Sequence, residues 1–110
     1  MTELTRDQEI AGTILQQLGH NQRSLKSFIG AKHIYAVENG ISFQWSAKAK
    51  DGLNYCRIVL NGNDLYDIEF WKLPRGIPAV PPKPVKVFND YYNDMLVHCF
   101  EETTGLYLHL

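Results

Sequence analysis

The chain has 110 residues, of which 45% are hydrophobic and 21% charged, and its formal net charge is −1. This size and composition are typical of a single globular domain over residues 1–110, and they exclude disordered and fibrous proteins. The near-zero charge argues against nucleic-acid binding by bulk electrostatics. No apolar run approaches the ~18 residues that span a bilayer, and the N-terminus is too polar for a signal peptide, so we expect a cytoplasmic protein.

The first predicted element is a helix that begins at a capping box. Thr5 and Gln8 have the spacing at which each side chain accepts a hydrogen bond from the other residue's backbone N–H. The apolar residues that follow fall on one helical stripe, and Gly19 is expected to end the helix. The stripe contains Ile10, Ala11, Ile14, Leu15 and Leu18. The helical spacing of apolar residues is lost over residues 20–30, and this predicts a loop with room for one helical turn.

Four strands are predicted next, at residues 32–37, 41–47, 54–60 and 65–73. The Asn39-Gly40 pair suits a hairpin turn that needs positive φ, and residues 61–64 form another turn signal. Alternation places one apolar face on the last three strands, with polar residues opposite. Short connections between successive strands favour an antiparallel meander. The apolar face contains Ile41, Phe43, Trp45, Cys56, Ile58, Leu60, Tyr66, Ile68 and Phe70.

All five prolines fall within residues 74–84, which predicts an extended connector. The spacing of Arg75, Pro78 and Pro81 also matches the pattern that SH3 domains bind, so the segment is a linker or a recognition motif. After it, Asn89 or Asp90 is expected to cap a helix that ends at Gly105. Its buried stripe would contain Tyr92, Met95, Leu96, Cys99 and Phe100. The predicted fold is α+β, with both helices on one face of a four-stranded meander.

No catalytic, metal-binding or cofactor-binding motif is present in the sequence. Neither His98-Cys99 nor any other histidine or cysteine pair has the short spacing of zinc ligands. Cys56 and Cys99 have apolar neighbours, which favours buried free thiols over a disulfide. Two carboxylate pairs, Asp67 with Glu69 and Asp90 with Asp94, are best interpreted as solvated surface charge. We expect a protein that is not an enzyme and has no cofactor, although a site assembled from distant residues would not be visible here.

The polar side of the predicted sheet is the candidate binding surface. Gln44, Tyr55, Arg57 and Trp71 would project from adjacent strands, and aromatic and arginine side chains are enriched at binding hot spots. The same residue types form stacking platforms for single-stranded nucleic acid. The alternative is that a further layer covers this side. A candidate basic patch, within residues 20–57, contains Arg23, Lys26, Lys32, Lys48 and Lys50.

Five blocks that span nearly the whole chain form a distinctive combination, at residues 14–19, 28–32, 40–43, 59–70 and 101–107. Together these blocks resemble a family of small uncharacterised proteins encoded by bacteriophages, prophages and other mobile elements. Two departures are His20, where the family's pattern predicts glycine, and a proline-rich stretch that is longer than usual. The resemblance implies a mobile-element origin and assigns no catalytic or ligand-binding residue.

The function that we expect is binding to a host protein, as an inhibitor or modulator of host defence. Small phage proteins without catalytic motifs commonly work in this way. The first alternative is a nucleic-acid-binding protein that uses the basic patch and Arg57, with Tyr55 or Trp71 stacking on bases. The second is a virion structural or assembly protein, which would self-associate.

Overall fold

The fold combines a five-stranded antiparallel sheet with three helices, and it is known from a computed structural model that describes residues 5–19, 21–74 and 83–108, without the Gln22 side chain. The helices are α1 (Arg6–Gln17), α2 (Gln22–Ile29) and α3 (Leu96–Thr104). The strands are β1 (Ala31–Val37), β2 (Gly40–Trp45), β3 (Tyr55–Leu60), β4 (Tyr66–Trp71) and β5 (Lys86–Tyr91), in that order across the sheet. The α+β class and the antiparallel meander are therefore confirmed.

The two N-terminal helices form because each has a complete capping box. Thr5 and Gln8 exchange hydrogen bonds of 3.2 and 3.0 Å, as predicted, and Gly19 follows the helix end with φ 82°. Asn21 and Ser24 form a second capping box, at 2.9 and 3.0 Å, and begin α2. The prediction of a loop over residues 20–30 was therefore wrong. The eight-residue helix was missed because its amphipathic pattern spans only two turns.

The core lies between the helices and one face of the sheet, as alternation predicts. The buried apolar residues of all three helices join one cluster with Phe43, Cys56 and Phe70 on the inward face of the central strands. The Phe100 ring of α3 lies 6.0 Å from the Phe43 ring, 5.3 Å from the Trp45 ring and 6.1 Å from the Phe70 ring, measured between centroids. All three helices therefore cover the same face.

The fifth strand corrects the prediction of a four-stranded sheet. Asn89 and Asp90 belong to β5 and do not cap a helix, since Asp90 has φ 60° at a bulge opposite β4. The last helix begins at Leu96, after a 3₁₀ turn at Asn93–Met95, and ends at Gly105 as predicted. Tyr92 and Met95 are therefore 61% and 40% exposed instead of buried. Residues 75–82, with most of the predicted connector and its SH3-type pattern, lie outside the described residues.

Both edge strands carry a bulge. His33 in β1 has φ 52° where the register with β2 shifts, and Asp90 plays the same part in β5. Asp67 Oδ1 on β4 accepts the Asp90 N–H at 3.1 Å and a hydrogen bond from the Asn61 amide at 3.0 Å. Bulges twist an edge away from a flat ladder, so both edges resist pairing with another strand.

Gly40 is required by a close approach between strands. The predicted hairpin turn is present, but its two residues are Glu38 and Asn39, and only Asn39 has positive φ. Gly40 is the first residue of β2, and a Cβ there would collide with the carbonyl oxygen of Ile58 on β3.

We expect Gly40→Ala to lower the free energy of unfolding by more than about 2 kcal/mol, because β2 and β3 would have to separate. Gly12→Ala is the matched control, since Gly12 lies in α1 with no atom within 4 Å of an added Cβ. The control should raise the free energy of unfolding by about 0.5 to 1 kcal/mol. Urea denaturation measures both changes, and equal effects of the two substitutions would contradict the proposed collision.

Candidate functional site

The four residues of the candidate binding surface lie on one face of the sheet, opposite the helices. Gln44 pairs with Tyr55, and Tyr55 pairs with Trp71, so these three form a row across β2, β3 and β4. Arg57 lies two residues further along β3. All four are half-buried, and no described helix covers them. We call this surface the open face, and it continues onto Glu69 of β4 and Val87 of β5.

Trp71 is held in place by its neighbour on β3. The Trp71 and Tyr55 rings meet edge to face, with centroids 6.3 Å apart and an interplanar angle of 89°. Such pairs are worth about 0.5 to 1.5 kcal/mol beyond the area that they bury. Trp71 Nε1 is buried and has no hydrogen-bond partner among the described residues. A binding partner would therefore contact the ring of Trp71 and not its N–H group.

Arg57 lies at the centre of the open face without an ion pair. It is opposite Ser42 on β2 and Glu69 on β4, yet no carboxylate of the described chain lies within 4.0 Å of its guanidinium. A concavity of about 440 Å³ surrounds it, and three carboxylates line that space. We call it the acidic concavity; its lining includes Glu38, Arg57, Asp67, Glu69, Val59 and Val87.

Sequence reasoning missed the valines at one side of the open face. Val85 hydrogen-bonds to the Phe70 carbonyl at 2.7 Å, and Val87 pairs with Glu69, so both lie beside β4. They are 47% and 49% exposed. Their alternation with Lys86 and Phe88 is a strand signal, but it spans only four residues and follows the prolines. At the other edge, Tyr35 pairs with Ser42 and is 60% exposed.

The structure divides the predicted basic patch into three parts. Lys32 and Lys48 line a groove of about 1,110 Å³ at the end of the sheet, together with Lys72, which the sequence did not indicate. Lys50 instead donates from Nζ to the Glu102 carbonyl at 3.1 Å, in the last turn of α3. Arg23 and Lys26 are exposed on α2 and do not line the groove.

The two cysteines are poor nucleophiles in this structure. Both are free and buried. Burial raises the pKa of Cys56 well above its usual value, and it raises the pKa of Cys99 to about 11. Because the thiolate is the reactive form, neither side chain is prepared for nucleophilic chemistry near neutral pH.

The titratable side chains do not form a potential metal site within the part of the chain that is described. No group of three potential metal-ligating side chains occurs there. The helix predicted after Asn89 or Asp90 would have placed Asp90 and Asp94 one turn apart, but Asp90 lies in β5 and Asp94 in a 3₁₀ turn. His98 faces Glu102 at 3.6 Å on the surface of α3.

No protein-family model, curated protein or solved structure matches this chain. The mobile-element origin that the resemblance implies therefore stays a prediction. None of the helices within the described ranges is both long enough and apolar enough to cross a membrane.

We predict that both thiols react very slowly with Ellman's reagent at pH 8 in the folded protein. A pKa of about 11 leaves only about one Cys99 side chain in a thousand as thiolate at that pH. The same cysteines should react within seconds in about 6 M guanidinium, which is the control. Rapid labelling of the folded protein would show that the thiols are accessible and activated, contrary to their burial.

Proposed function

We propose that this chain acts by binding a partner protein through the open face. The proposal rests on the difference between the two faces of the sheet. One face packs against three helices, while the other presents Tyr55, Trp71, Arg57 and exposed valines to solvent within the described structure. Apolar surface of this kind, with polar residues around it, is typical of protein interaction sites.

The edges of the sheet are poorer binding sites than the open face. A partner that adds a strand needs a regular ladder of free N–H and C=O groups, and the bulges at His33 and Asp90 interrupt that ladder on both edges. The open face offers side chains instead of backbone. We therefore propose docking on top of the strands.

Charge on the open face favours a partner of mixed polarity. Arg57 has no ion pair, so a carboxylate of the partner could accept its guanidinium N–H groups in a bidentate pair. Glu38 and Glu69 in the acidic concavity favour a basic side chain beside it. Tyr55 and Trp71 supply the apolar area that such a contact needs, since buried aromatic and arginine residues dominate binding energies.

The resemblance to phage and mobile-element proteins suggests which partner to seek. A protein of that origin would meet its partner in the cytoplasm of the host cell, and we propose a host protein that it inhibits or modulates. This step rests on the resemblance alone, whereas the binding mode rests on the open face.

The test is affinity capture from a nuclease-treated lysate of a bacterial host, followed by mass spectrometry. We expect wild type to retain a specific protein, and the Trp71→Ala/Arg57→Ala double variant to lose it by at least tenfold. Val87→Lys should also weaken capture, because it places a charge on the open face at an exposed position. Because Val87 is exposed, we expect the Val87→Lys variant to stay folded.

The matched control is Tyr92→Ala/Arg23→Ala, which removes one aromatic and one arginine side chain from exposed positions outside the open face. It should retain the partner. Circular dichroism of each variant establishes that it is folded. Undiminished capture by both the folded double variant and Val87→Lys would contradict the proposal.

A further inference from the structure

The groove at the end of the sheet carries positive charge without any acidic residue in its lining. Lys32, Lys48 and Lys72 supply the charge. Its lining also includes the side-chain amides of Gln44 and Asn54, the Ser46 hydroxyl and Trp45. We call it the lysine groove. Its charge contrasts with a chain whose formal net charge is −1.

The walls of the lysine groove are fixed by hydrogen bonds. The Asn54 side chain accepts the Leu73 N–H at 2.8 Å and donates to the Leu73 carbonyl at 3.1 Å. The Asn54 N–H also donates to the Trp71 carbonyl at 3.0 Å, so the chain around Lys72 is held on both sides. Gly52, with φ 69°, lies under the Lys72 side chain, where an added Cβ would come within 3.1 Å of Lys72 Cε.

The three ammonium groups have no compensating partner among the described residues. No carboxylate within the described ranges lies within 4.0 Å of Lys32, Lys48 or Lys72, and none of the three makes a described hydrogen bond. Lys50 differs from these three lysines, because its ammonium group donates a hydrogen bond to the Glu102 carbonyl at the end of α3. Three like charges around one concavity repel each other, and an anion bound between them would relieve that repulsion.

We infer that the lysine groove binds the phosphates of a single-stranded nucleic acid. Lysine ammonium groups contact phosphates as point charges and need no fixed bidentate geometry. Lys32 and Gln44 lie on the same row as Tyr55 and Trp71, so the strand can run from the lysine groove toward aromatic rings on which bases stack. The concavity favours a flexible single strand over a duplex, whose convex backbone would reach only the rim.

This inference goes beyond the proposed function, because its phosphate contacts are three lysines that the protein-binding proposal does not use, although both proposals use Tyr55 and Trp71. The two proposals therefore fail separately. Loss of the lysines should leave protein capture intact, and loss of Arg57 should leave the three phosphate contacts intact.

Fluorescence anisotropy with a labelled oligothymidylate of about 12 nucleotides tests the inference. We expect Lys32→Gln/Lys48→Gln/Lys72→Gln to weaken binding at least tenfold at about 50 mM salt. Each phosphate contact on a single strand contributes about 0.7 to the slope of log affinity against log salt, so the slope should fall by about 2. Thermal unfolding of the variant establishes that it is folded.

The matched control is Arg6→Gln/Lys83→Gln/Lys86→Gln, which removes the same total charge from exposed positions that do not line the lysine groove. It should bind within about twofold of wild type, since none of the three charges lines the lysine groove and exposed charges are screened by salt. Equal weakening by both triple variants would assign binding to bulk charge and overturn the inference. Undetectable binding by wild type, or equal affinity for a duplex of the same length, would overturn it as well.

Discussion

The packing of Phe100 against three aromatic rings is the contact on which the arrangement of this protein depends. Its ring meets Phe43 and Trp45 of β2 and Phe70 of β4, so one helix residue fixes α3 over the centre of the sheet. Buried aromatic side chains carry the largest apolar areas, and truncating one costs about 3 to 5 kcal/mol. Because β-strand side chains alternate, covering this face leaves Tyr55, Arg57 and Trp71 on the other.

The sheet was predictable wherever its signals were local. Alternation identified the inward residues of β2, β3 and β4, and Asn39 marked the first hairpin. β5 escaped because Asn89 and Asp90 look like helix caps, whereas the structure uses Asp90 at a positive-φ bulge. Asparagine and aspartate favour both caps and left-handed backbone, and only the pairing with β4 decides between them.

The open face was predictable as a row of residues, but its charges were not. Alternation alone places Gln44, Tyr55 and Trp71 on one side of the sheet. Whether Arg57 forms an ion pair depends on the conformations of the side chains on neighbouring strands, which periodicity does not encode. The lysine groove was less visible still, because Lys32, Lys48 and Lys72 belong to three different segments of the chain. Lys50 is close to Lys48 in sequence, but its ammonium group hydrogen-bonds to a carbonyl at the end of α3. The patch predicted from the sequence therefore includes Lys50, which does not line the groove, and omits Lys72, which does.

The distribution of charge explains how a nearly neutral chain can offer two electrostatically opposite surfaces. Glu38, Asp67 and Glu69 gather around the acidic concavity, while the lysine groove contains no carboxylate. Interactions between exposed charges are screened over about 8 Å at physiological salt, so an approaching partner responds to the nearest cluster and not to the net charge. The open face connects the two surfaces along β3, because Tyr55 lies beside the lysine-groove residue Gln44, while Arg57 and Val59, further along the same strand, line the acidic concavity. A ligand that lies along β3 would meet opposite potentials at its two ends, which fixes its direction as well as its position.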